Sequence, residues 1–123
     1  LERSMYTTFL ASTFRSIRFG INEAHGRGVA IQLNTFLDAG AVVVDANGRF
    51  RVDHSRIRDA VTALTTELMT LQATGDFDAA ERILETRGVV RPEVQRVLDR
   101  LSGIPIDIQP RYVSVDTLAT ATR

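Results

Sequence analysis

Glu23-Ala24-His25-Gly26-Arg27-Gly28-Val29-Ala30-Ile31-Gln32-Leu33-Asn34-Thr35-Phe36-Leu37-Asp38-Ala39-Gly40 is the stretch on which the fold turns. Its apolar positions, Ala24, Val29, Ala30, Ile31, Leu33, Phe36 and Leu37, follow a helical spacing but spread over more than one face. A helix that is apolar on most sides sits inside a larger body rather than on its surface. The pattern predicts a helix over about 22–38, with Gly20 and Asn22 breaking the chain before it and Gly40 placed as its C-terminal cap. One of only two histidines, His25, falls near the start of this helix, flanked by small residues.

Upstream, Met5, Phe9, Phe14 and Ile17, with Tyr6 and Leu10 beside them, make the apolar stripe of a helix over roughly 3–18. Downstream, Val42-Val43-Val44 and Phe50-Arg51-Val52 flank Asp45-Ala46-Asn47-Gly48. The Asn-Gly pair signals a hairpin with a tight turn, positive φ being needed at both central residues. Such a ribbon is too small to stand alone and must pack on helices. Asp53 is placed to cap a helix over about 54–73, in which Ile57, Val61, Leu64, Leu68 and Leu71 form a one-sided stripe. Gly75 ends that helix and Asp76 caps a short one, with Phe77, Ala80 and Leu84 inward and its end near Gly88. Pro92 suits the first turn of a last helix, with Val94, Val97, Leu98 and Leu101 inward and Gly103 at its end. Ile104 to Val115 reads as extended chain, in the manner of an edge strand. The expectation is a mainly α single domain over 1–123: about five helices packed around one core, with one small β-hairpin.

Composition narrows the function. Fifteen cations, all Arg, balance fifteen Asp plus Glu, so the formal net charge is zero. Nucleic acid and anionic membranes reward an excess of positive charge, and neither is an expected partner. The chain has no cysteine, which excludes disulfides, thiolate nucleophiles and Cys-ligated zinc. No apolar run approaches the ~20 residues of a membrane span. The lack of cysteine fits a cytoplasmic protein, and the sequence opens Leu1-Glu2-Arg3-Ser4 and enters an amphipathic pattern almost at once, as a piece cut from a longer protein would.

Three blocks in order carry a resemblance. The first is Glu23-Ala24-His25 with Leu33-Asn34-Thr35-Phe36-Leu37-Asp38-Ala39-Gly40. The second is Phe50-Arg51-Val52-Asp53-His54-Ser55-Arg56-Ile57-Arg58, with Leu71-Gln72-Ala73-Thr74-Gly75-Asp76 at the end of the following helix. The third is Ile108-Gln109-Pro110. Together they resemble the C-terminal part of the dipeptidyl peptidase III family of zinc metallopeptidases. The resemblance implies a C-terminal fragment forming part of a substrate cleft, with a peptide as the substrate of the parent protein. It implies zinc in the parent only, held by the two His of an HExxGH helix and a Glu of a second helix. Three protein ligands leave one zinc position open for an activated water. Neither motif occurs in this chain, so the zinc site and general base belong to an upstream catalytic part of the same polypeptide, and the fragment alone is expected to be inactive and to bind no metal.

The resemblance also assigns side chains. His25 matches the family histidine that reaches into the cleft, where an imidazole donates a hydrogen bond to a substrate carbonyl oxygen or to its developing negative charge. Gly26 and Gly28 would leave room around it. Some members carry an Arg four residues after that histidine; here Val29 stands there, and Arg27 is the nearest Arg. The family's Arg three residues after Gln-Pro is replaced by Val113, with Arg111 directly after the pair. His25, Arg27 and Arg111 are therefore the substrate-contact candidates.

Other readings compete. A histidine on an apolar helix is ordinarily structural, and His54, at a helix start, reads as a surface residue. A metal site joining the two histidines with Asp38, Asp45 or Asp53 has no helical spacing behind it. Gly75 to Gly88 is similar to a nucleotide-hydrolase box at Glu85 and Gly88, but Thr86 and Arg87 stand where such a box needs adjacent acids for magnesium. The alternative to the peptidase fragment is a non-catalytic helical protein-interaction module. A fragment freed from a larger fold would also expose an apolar patch through which it could dimerise.

Overall fold

The helix α2 (Ala24–Asp38) is the centre of the molecule, and it buries Gly26, Ala30, Leu33, Asn34 and Phe36. At 100° per residue these positions cover about 160° of its circumference, as expected of a helix packed on several sides. The computed structural model describes residues 1–105. Around α2 stand α1 (Glu2–Ile17), the strands β1 (Val42–Val44) and β2 (Phe50–Val52), and the helices α3 (Ile57–Thr74), α4 (Phe77–Thr86) and α5 (Pro92–Arg100). The protein is mainly α, with five helices and one two-stranded hairpin among the described residues.

One cluster forms the core: Leu10 and Ile17 of α1, Ala30, Leu33 and Phe36 of α2, Val42 and Val52 of the hairpin, Ile57, Ala60 and Leu64 of α3, and Val94 of α5. Two edge-on aromatic pairs tie α1 into it. Phe9 meets Phe36 with ring centroids 6.0 Å apart, and Phe14 meets Phe50 at 4.9 Å. The strands pair antiparallel with Val43 opposite Arg51, and Phe50 and Val52 face the helices while Arg51 is exposed. The hairpin is thus held by the helices it covers, as a lone two-stranded ribbon requires.

α2 ends as its sequence predicts. Gly40 has φ +65°; its N–H donates to the Leu37 carbonyl at 3.0 Å, and the Ala41 N–H donates to the Phe36 carbonyl at 2.8 Å. This pair of bonds satisfies carbonyls that the helix itself leaves open, and the αL position between them favours glycine. Asp76 caps α4 through Oδ1, which accepts from the Ala79 N–H at 2.9 Å, and Pro92 opens α5.

Three expectations change. The hairpin loop is not a two-residue turn with positive φ at both centres, because no non-glycine residue has positive φ among the described residues. Asp45 and Arg49 close a three-residue loop in which Gly48 alone is left-handed, at φ +71°. The Asp45 carboxylate accepts from the Asn47 and Arg49 amides and makes this longer loop favourable. The next helix begins at Ile57 rather than 54, since the Asp53 carboxylate accepts from the Ser55 N–H and hydroxyl and caps a separate turn first. In α4 the buried residue is Ile83, while Phe77 is 84% exposed and Leu84 39%. The helix is rotated by about one residue's 100° from the expected face, which turns Ile83 rather than Phe77 towards its neighbours. The extended segment expected over 104–115 lies almost wholly outside the described residues.

Candidate functional site

The first turn of α2 is fastened by backbone, not by a side-chain cap. Glu23, at its N-terminal boundary, is extended, and no side chain caps the helix there. A Cβ on Gly26 would overlap the Gly20 carbonyl oxygen, so only glycine lets α2 lie against the α1–α2 connection. Gly26 thus serves a close backbone approach. At Gly28 a Cβ would meet nothing within 4 Å. His25 itself is exposed, and its imidazole makes no hydrogen bond or ion pair among the described residues. The ring is therefore held only through its backbone and can engage a ligand without first giving up a protein partner.

Arg27 has a different attachment. Its Nε donates to the Gly88 carbonyl at 3.4 Å, and its Cγ lies 3.0 Å from where a Gly88 Cβ would stand. The side chain lies across the α4–α5 connection. Residues two apart on a helix do not face each other, so His25 and Arg27 diverge rather than converge. Arg111 lies outside the described residues.

The α4–α5 connection is in turn pinned to α2 and α3. Asn34, 1% exposed, donates through Nδ2 to the carbonyls of Arg87 at 2.7 Å and Val89 at 2.9 Å. Its Oδ1 has no partner among the described residues. Arg87 forks onto Glu67 of α3, at 2.7 and 3.2 Å. Arg91 forks onto Asp38 at 2.7 and 2.9 Å. That hydrogen bond from Arg91 is the main reason the Asp38 carboxyl is held below the ordinary carboxylate value, and the same bond raises Arg91. Asn34 and Gly88 are the positioning residues that sequence reasoning missed. Asn34 is a polar residue among the apolar positions of α2, the one signal that could have marked it.

His54 is exposed, as expected, on the rim of a polar cleft shared with Glu2, Tyr6, Arg58 and Asp59. Arg58 there is bound to Glu2 at 2.8 and 2.9 Å. No group of three His, Asp or Glu that could hold a metal exists among the described residues.

The geometry also explains the sequence blocks. Leu33 and Phe36 are core, Asn34 and Asp38 hold the α4–α5 connection, and Gly40 closes α2. In the second block Phe50 packs on Phe14, Asp53 caps its turn, Ile57 is core and Arg58 pairs with Glu2. Most of these residues specify a fold; His25 in the first block and His54 in the second are exposed imidazoles with no bond among the described residues.

No protein-family model matches the chain. A dipeptidyl-peptidase III structure from Corallococcus sp. strain EGB matches 98% of the chain at 59% identity, with a TM-score of 0.88. A DPP III structure from Caldithrix abyssi matches 86% at 44% identity, with a TM-score of 0.83. A Nudix hydrolase 3 of Arabidopsis thaliana is 39% identical over 120 residues, 96% of the chain. The chain spans 22% and 20% of the two structures and 16% of the Arabidopsis protein. The names differ, and the Arabidopsis match is the weakest of the three in identity. In sequence and in fold, the chain is a dipeptidyl-peptidase III-like segment, equivalent to about a fifth of those longer polypeptides.

Proposed function

We propose that this chain is the C-terminal helical segment of a zinc-dependent peptidase of the dipeptidyl peptidase III kind, and that it forms one wall of the substrate cleft. The observation that carries the reading is the 59% identity over 98% of the chain to a dipeptidyl-peptidase III structure. In this reading the zinc and the general base belong to the rest of the polypeptide, and the described residues contribute no metal ligand set. His25 donates an N–H to the carbonyl oxygen of the scissile peptide or to the charge that develops on it. Its exposed position and lack of an internal partner support that role.

Arg27 is assigned a weaker part. Its guanidinium is engaged with the Gly88 carbonyl, so it contacts peptide only through the donors left over after that bond. Arg111 remains the second candidate for a substrate carboxylate or carbonyl. The non-catalytic module has no observation in its favour beyond the exposed apolar surface, which a larger fold also explains. The protein is proposed to work in the cytoplasm; no helix among the described residues is long and apolar enough to cross a membrane.

The test is His25→Ala in the longer polypeptide, assayed on a short peptide with zinc content measured alongside. Loss of one donor to a developing oxyanion lowers turnover by about 10²–10³-fold, with zinc content unchanged. His25→Gln, which keeps a donor, recovers part of it. Equal turnover in all three would overturn the assignment.

A further inference from the structure

An apolar groove of about 370 Å³ runs between Met5 and Phe9 of α1, Phe36 of α2, and Val61, Leu64 and Leu68 of α3. No Asp, Glu or Arg lines it. Met5 is 56% exposed at its edge and Leu68 42%. The faces around the α4–α5 connection differ, being closed by paired charges such as Glu67 with Arg87 and Asp38 with Arg91. A contiguous apolar surface of this kind on an otherwise charged chain marks a contact site.

We propose that this groove is the seat of an apolar helix from the remainder of the longer polypeptide. Two observations choose this occupant. The similar structures contain this segment as only 22% and 20% of their length, so most of the chain that could cover the groove lies elsewhere in the same molecule. The surface is also concave and formed by three helices. Two copies related by a twofold axis would set groove against groove and leave the space unfilled. A helix ridge of large apolar side chains fills it, in the manner of an amphipathic helix laid in a groove. The proposal rests on the chain being a segment of a longer polypeptide, but not on peptidase activity. It makes the apolar surface of the isolated segment the exposed half of an intramolecular interface.

Thiol labelling tests it without any activity assay. Leu68→Cys and Thr66→Cys are introduced one at a time into the longer polypeptide, and modification at each site is followed by mass spectrometry. Thr66 is exposed on the same helix, on the side turned away from the core stripe. With the groove filled, Leu68→Cys reacts about 100-fold more slowly than Thr66→Cys, because labelling waits for local opening. In the 123-residue chain at low concentration the two rates come within about tenfold of each other, as partial exposure of Leu68 allows. Equal rates in the longer polypeptide overturn the proposal. So does protection of Leu68→Cys that rises with protein concentration, which would assign the groove to a second copy. Should the 123-residue chain not fold alone, the comparison within the longer polypeptide still decides. Loss of turnover on His25→Ala is a separate readout, so a failure of the peptidase assignment is distinguishable from a failure of the groove.

Discussion

The two ends of α2 differ in what their side chains meet. At the C-terminal end every side chain has work inside the molecule: Leu33 and Phe36 fill the core, Asn34 carries the α4–α5 connection, Asp38 holds Arg91, and Gly40 closes the helix. At the N-terminal end His25 is exposed and unpaired among the described residues, and the turn is held by the approach of Gly26 to the Gly20 carbonyl. One rigid element thus anchors a fold at one end and holds out a side chain at the other. A group that must meet a ligand with fixed geometry is best placed on such an element rather than on a loop.

The contrast can be broken from the anchored end first. Phe36→Ala removes a core ring that is 3% exposed and meets Phe9 edge-on. It should cost about 3–5 kcal/mol in urea unfolding of the chain, and a loss under 1 would show that the core is not centred on α2. Gly26→Ala comes next. Its methyl would overlap backbone, not a yielding side chain, and overpacking of that kind costs about 1–3 kcal/mol. It should also lower turnover of the longer polypeptide by displacing His25; unchanged stability would mean that the first turn of α2 does not lie against the α1–α2 connection. Asn34→Ala leaves the Arg87 and Val89 carbonyls without their donor, a loss of about 1–3 kcal/mol that thermal melting will register.

The smallest effect is one of pH. The Asp38 carboxyl is lowered mainly by its hydrogen bond from Arg91. A lowered folded value means that the contribution is fully present above the unfolded carboxylate value, near pH 4, and is lost as pH falls through the folded value. Melting temperatures measured from pH 6 downward should therefore fall less steeply below about pH 4 in Asp38→Asn than in the parent. Parallel curves would remove the pair from the account.

Much of the fold was legible because it rests on local chemistry. The broad apolar face of α2, the Gly40 stop, the Asp76 cap and Pro92 at the head of α5 each follow from residues within a few positions of one another. What escaped was tertiary. On α4, Phe77, Ala80 and Leu84 compete with a neighbouring face that carries Ile83, and only the docking partners decide between them. Arg27 meets Gly88 sixty-one positions away, and no local pattern announces that contact. Nor did the Asn-Gly pair reveal that Asp45 would draw the loop into a longer form. The candidate site is named only by the resemblance, since the residues alone describe His25 as one histidine on an apolar helix.

The most direct test of the central claim is to measure kcat/KM and melting temperature together for His25→Ala in the longer polypeptide. An exposed side chain without internal partners should leave stability within about 0.5 kcal/mol, while turnover falls by about two orders of magnitude or more. If the melting temperature drops and turnover at low temperature does not, the N-terminal turn of α2 is part of the scaffold and His25 is no cleft residue.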